Sequence, residues 1–189
     1  MHSFALAAVL LAAGSTAAPL TADVFAQNKI PTSGGKSVLD IANTWRRGDD
    51  LPQLQWCDQL ASNALKTGND NRGKTENHKL NHGSMAQVIS PGIVDNDICG
   101  RNMDGQQPFG LVYIAWLCEV SSDHALQSYG KSICPGVLSA AGIGITPGQR
   151  GHYDLLTSKS YTKIGCAFAR NPESKTCDRY TGLWVCDLA

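Results

Sequence analysis

With 189 residues and a formal net charge of zero, from sixteen basic and sixteen acidic side chains, the chain has no electrostatic footprint for nucleic acid or an anionic membrane surface. Any partner has to be recognised by shape and local chemistry. The length suits one domain of about 170 residues after an N-terminal leader is subtracted, and the seven cysteines argue against a reducing compartment.

Residues 1–17 read as a secretory signal peptide. The apolar run from Phe4 to Ala13 falls short of the roughly 20 residues that span a bilayer, and cleavage after Ala17 places Ser15 and Ala17 at the small-residue positions. No later stretch approaches a membrane span, so the mature protein is expected to be soluble, secreted and extracellular. Residues 18–36 mix Pro, Thr, Ser and Gly and read as a flexible arm; residues 37–189 read as the folded domain.

A first helix is predicted from an N-cap at Ser37 to about Arg47, with Val38, Ile41, Ala42 and Trp45 on its apolar face. A second follows the turn at Pro52, with Trp56, Leu60, Ala61, Ala64 and Leu65 inward and Gly68 as its stop. Asn69 to Lys79 is almost wholly polar and reads as a surface loop. His78 and His82 stand four apart, the spacing of metal ligands on a helix, but Gly83 and the polar surroundings speak against a helix there. His82 is the more interesting of the two, because Met85, Val88 and Ile89 follow and return the chain to the core. Pro91 to Pro108, with Cys99, reads as a long loop tied down by a bridge.

The next helix is the most strongly patterned. Phe109, Val112, Ala115, Trp116 and Glu119 share a face, and the segment continues through Val120 toward Leu126 and Tyr129. A carboxylate on an apolar face is costly unless it is paired or opens onto a cleft, and a histidine would serve as the partner. Gly142 to Gly151, with four glycines and Pro147, reads as a loop that delivers His152 to the mouth of an ordered segment. Ile164, Cys166 and Phe168 then alternate with Gly165 and Ala167 in a strand pattern. Gly182 to Asp187 forms a second strand, completing an antiparallel hairpin across the polar turn Arg170 to Asp178. Cys177 and Cys186 are placed to staple that hairpin; with seven cysteines, one is left over.

In order along the chain stand Asn43-x-x-Arg46, Leu54-x-Trp56, Leu60-Ala61-x-x-Ala64, His82, Trp116-x-x-Glu119, Gly151-His152-Tyr153, Ile164-Gly165-Cys166 and a final strand ending in cysteine. Each is weak alone, but the ordered set, from about Ser37 to Asp187, resembles the CAP (or SCP) superfamily of cysteine-rich secretory proteins, antigen 5 allergens and group 1 pathogenesis-related proteins. The resemblance implies an α+β fold, an α-β-α sandwich with a small antiparallel sheet between helical layers. It also implies a cleft lined by two histidines and two acids, here His82, His152 and Glu119, with Gln87 where the second acid is usual. Asp187-Leu188 stands where Asn-Tyr is usual, and Leu155 and Ser158 also depart from the pattern.

His82 and His152 are the candidate metal ligands. Two imidazoles without a second carboxylate predict at most weak Zn²⁺ binding, so no cofactor is expected to be required. Glutamine keeps the ability to bond an imidazole N–H, which favours a polar structural cluster. The resemblance implies a non-enzymatic protein that binds a small hydrophobic ligand, a sterol or fatty acid, or acts at an extracellular or host surface. The alternatives are a metal-assisted hydrolase with Glu119 as general base and a ligand-free, disulfide-stabilised recognition protein. The sequence carries no HExxH and no Gly-x-Ser-x-Gly.

Overall fold

The computed structural model describes residues 37–92, 108–120, 134, 137, 148–175 and 180–189. The leader and arm assigned to residues 1–36, Cys99 and Cys177 lie outside them.

Helix α1, Val38–Gly48, starts where the sequence places it. Ser37 and Asp40 form a reciprocal capping box that satisfies two of the first orphan N–H groups. Val38, Ile41 and Ala42 face the core as expected. Asn43 and Arg46 are also buried. Asn43 imitates a strand partner, donating to Leu54 O at 3.0 Å and accepting from Leu54 N at 2.8 Å.

The second helix begins later and ends later than its periodicity predicts. Trp56 belongs to a two-residue strand, β1 (Gln55–Trp56), and α2 runs Asp58–Asp70. Gly68 does not terminate it. A Cβ at Gly68 would lie 2.5 Å from Ala169 Cβ, so the glycine marks a close approach of helix to sheet rather than a stop. The same holds across the contact at Gly165, where a Cβ would meet Ala61 N at 2.1 Å and the first turn of α2 lies directly on the sheet.

Strand β2 covers Ala86–Gly92, so Pro91 and Gly92 close a strand instead of opening a loop. Proline is tolerated because β2 is an edge strand and only one of its sides needs ladder donors. Helix α3 spans Pro108–Leu117 and tightens into a 3₁₀ turn, Cys118–Val120, where Glu119 sits. The continuation toward Tyr129 lies outside the described residues. Helix α4, Gly151–Thr157, carries His152 in its first turn. Strands β3, Lys163–Arg170, and β4, Gly182–Leu188, form the expected antiparallel hairpin.

The sheet order is β1-β3-β4-β2. β2, β3 and β4 are antiparallel as expected, while β1 adds a short parallel pairing to β3, making the sheet mixed. Alternation divides the side chains between two layers. Ile164, Cys166, Phe168, Trp184, Cys186, Ala86 and Val88 face α1 and α3. Ala167, Val185, Leu183 and Ile89 face Ala64 of α2. Small residues on the α2 side let that helix settle close, and aromatic ones fill the deeper layer: Trp184 meets Phe109 at 4.9 Å and Phe168 at 5.2 Å. This is the expected α-β-α arrangement.

Two disulfides join described cysteines. Cys166 bonds Cys186, its directly facing partner in the β3–β4 register, so the Cys177–Cys186 staple is incorrect. Chain proximity favoured Cys177, but the β3–β4 register sets Cys166 directly opposite Cys186. Cys118 bonds Cys134 and anchors the turn that carries Glu119. Cys57, at the N-cap of α2, is a free thiol.

Candidate functional site: a histidine and a glutamate at the edge of the sheet

Glu119 leaves the 3₁₀ turn at the end of α3 with its side chain only 2% exposed, and its predicted histidine partner is His152. Nδ1 of His152 lies 2.6 Å from Oε1, and the backbone N–H of Tyr153 donates to Oε2 at 3.0 Å. Burial by itself would push this carboxyl up. The hydrogen bonds from His152 and Tyr153 and the charge of His152 outweigh it and hold the carboxyl below its usual range.

The other ring nitrogen is also engaged. Nε2 of His152 lies 3.1 Å from the backbone carbonyl of Ile89 in β2. Both acceptors lie within hydrogen-bond reach, so the ring is held between a carboxylate and the sheet with both nitrogens engaged. Trp116 stacks on it, with ring centroids 5.7 Å apart and planes at 19°.

The remaining predicted members do not join this pair. Gln87 is buried on the α2 side of β2, where its amide grips the backbone of Lys79 from both ends: Oε1 accepts from Lys79 N at 3.1 Å and Nε2 donates to Lys79 O at 3.2 Å. Nε2 also donates to Asp187 Oδ1 at 2.7 Å. Its partners are thus a loop backbone, a carboxylate and the Thr67 hydroxyl of α2, not an imidazole. His82 is exposed, and its backbone carbonyl, rather than its ring, is engaged, by Asn63 Nδ2 at 3.0 Å. His82 is expected to be carried inward because Met85, Val88 and Ile89 follow it, but Gly83, at φ 91°, turns the chain before β2 begins, and Met85 is itself exposed.

Asp187 is the acid that sequence reasoning missed. It stands opposite Gln87 in the β2–β4 register, fully buried, and accepts from Ser84 Oγ at 2.5 Å as well as from Gln87. The carboxylate absent at position 87 is present one strand away. Burial pushes the Asp187 carboxyl up, against the opposing bonds from Ser84 and Gln87 and the weaker pull of His78. His78, not His82, is the histidine whose charge reaches this cluster. Glu76 feels the charge of both His152 and His78. Although the residue is exposed, partial withdrawal of its carboxyl from solvent raises it, against the pull of His152 and His78.

The chain matches the model of the cysteine-rich secretory protein (CAP) family over residues 39–188. The protein belongs to the CAP family. Among solved structures it is similar to Na-ASP-1, with 15% identity and a TM-score of 0.48 over 80% of this chain and 37% of that one. It thus spans little more than a third of the length of that protein. No curated protein matches it.

Even the weak Zn²⁺ site allowed by two imidazoles, His82 and His152, does not fit these residues as they are placed. As placed, His152 has no free ring nitrogen to offer a metal. Among the described residues no group of three or more His, Cys, Asp and Glu side chains is assembled to hold an ion. None of the described helices is long and apolar enough to cross a membrane.

Proposed function

We propose that this CAP protein is a secreted, non-enzymatic module that acts by binding a small hydrophobic molecule of the sterol or fatty-acid class. One observation carries the non-enzymatic reading: the histidine and the acid that a metal-assisted hydrolase would use are bonded to each other and to backbone groups. The general base of that alternative is Glu119, whose two carboxylate oxygens already accept from His152 and from the Tyr153 N–H and whose side chain is sealed from solvent, away from any substrate proton. Secretion is supported by the apolar leader sequence and by two disulfides in the folded layers.

Support for an apolar ligand is local. Leu80 and Met85 are the exposed large hydrophobic residues of the described chain, at 54% and 65%, and they flank the turn that enters β2. Exposed apolar side chains on either side of one turn suit contact with a hydrophobic molecule better than with a charged one.

The test is displacement of a fluorescent sterol or fatty acid from the mature protein by its unlabelled counterpart. Saturable, competable binding that weakens in Leu80→Ser/Met85→Ser protein is expected. Absence of any such binding would favour the ligand-free recognition role. Hydrolysis of a peptide or ester panel that disappears in both His152→Ala and Glu119→Ala proteins would establish an enzyme.

A further inference from the structure

Helix α4 has seven residues, and a helix that short does not persist in water unaided. Its first N–H groups and last C=O groups need partners from elsewhere in the fold. At the first turn that partner is Glu119, which takes the N–H of Tyr153 and the ring of His152. At the last turn it is Arg46 of α1, whose Nη1 donates to Leu156 O at 2.6 Å and Nη2 to Ser158 O at 3.1 Å. Its Nε donates to Pro52 O at 2.7 Å. Arg46 is 1% exposed, so this guanidinium is buried among backbone carbonyls. The signs are the favourable ones: a negative charge at the N-terminal end of the helix dipole and a positive charge at the C-terminal end.

We propose that α4 is clamped between two buried charges, Glu119 at its first turn and Arg46 at its last. This clamp engages both ring nitrogens of His152, one of the two candidate metal ligands, so that to accept a dication the ring would have to release Ile89 O or Glu119. Arg46 and Glu119 come from different helices and bond to different groups; α4 is the element both hold. Loss of either should loosen the same short helix, and once one end is free, loss of the other should matter less. The clamp does not depend on which ligand the protein binds.

The test is amide hydrogen exchange and imidazole ¹⁵N spectroscopy on the full chain, comparing wild type, Arg46→Lys, Glu119→Gln and the double variant, each with and without millimolar zinc. In each single variant the amides of Asp154 to Thr157 should exchange about tenfold faster or more, because a hydrogen bond to a charged group is removed or distorted. The double variant should fall short of the product of the two effects, and amides in the β3–β4 hairpin should keep their wild-type rates. In the wild type zinc should leave the ring-nitrogen signals of His152 in place. A saturable zinc-induced shift of those signals, or unchanged protection of α4 in both single variants, would overturn the clamp. The ring spectrum and the zinc titration need only wild-type protein, so a variant that fails to fold does not shield the proposal. Failure of the sterol or fatty-acid assay would leave all of these outcomes untouched.

Discussion

Two carboxylates lie buried near β2, and their environments move them in opposite directions. Glu119 accepts from the His152 ring and from backbone N–H groups, that of Tyr153 among them, and its carboxyl is held low. Asp187 accepts from the side chains of Ser84 and Gln87, and its carboxyl is pushed up. Burial acts upward on both, and the difference lies in what opposes it: the hydrogen bonds from His152 and Tyr153, with the charge of His152, outweigh the loss of hydration at Glu119, whereas two neutral side-chain donors leave burial dominant at Asp187. One end of the comparison is a bonded histidine–carboxylate pair, and the other is a polar network with a reluctant acid in it.

The strongest way to break this contrast is to remove Glu119. Glu119→Ala leaves the His152 ring and the Tyr153 N–H without their acceptor in a sealed setting, and a loss of about 3–5 kcal/mol in urea unfolding is expected. A loss below about 1 kcal/mol would mean that water already screens the pair, and the two ends would then be alike.

The second test acts on the other end. Gln87→Glu puts an oxygen where Nε2 now stands, 2.7 Å from Asp187 Oδ1 and 3.2 Å from Lys79 O. Two acids in one buried site repel unless one takes up a proton, and a cost of about 2–4 kcal/mol is expected. Adding Asp187→Asn restores one acid facing one amide. The double variant should recover at least about 1 kcal/mol relative to the sum of the single changes. Strict additivity would show that the two residues, though opposed in register, do not act as a unit.

Much of this layout was legible in the sequence. The helical period placed α1 and α3, alternation placed β3 and β4, and a carboxylate on an apolar face required a partner at Glu119. What escaped was whatever depends on register. Nothing in the spacing of Gln87 and Asp187 along the chain shows that they stand opposite one another, nor that Cys166 faces Cys186. Gly68 reads as a helix stop because its other role, letting α2 approach Ala169, involves a residue about a hundred positions away. The carbonyl of Ile89 is invisible for a simpler reason: every residue has one, and only the fold decides which of them His152 meets.

The smallest expected effect sharpens the contrast most directly, because it compares slopes rather than totals. For Glu119 the folded carboxyl is held low, so its stabilisation is complete above the ordinary carboxyl range and is lost as pH falls through that range toward the folded value. For Asp187 the folded carboxyl is raised. The folded state prefers it neutral, so its contribution is best at low pH and declines as pH rises through the raised value. Relative to wild type, the deficit of Glu119→Gln should therefore grow between about pH 3 and pH 6, while Asp187→Asn should gain ground as pH rises. Urea unfolding at stepped pH reads both curves, each corrected for the wild-type trend. Parallel curves would require His78, the charged group that already draws the Asp187 carboxyl down, to give that acid the positive partner that His152 gives Glu119. The difference between the two ends would then be one of degree rather than of kind.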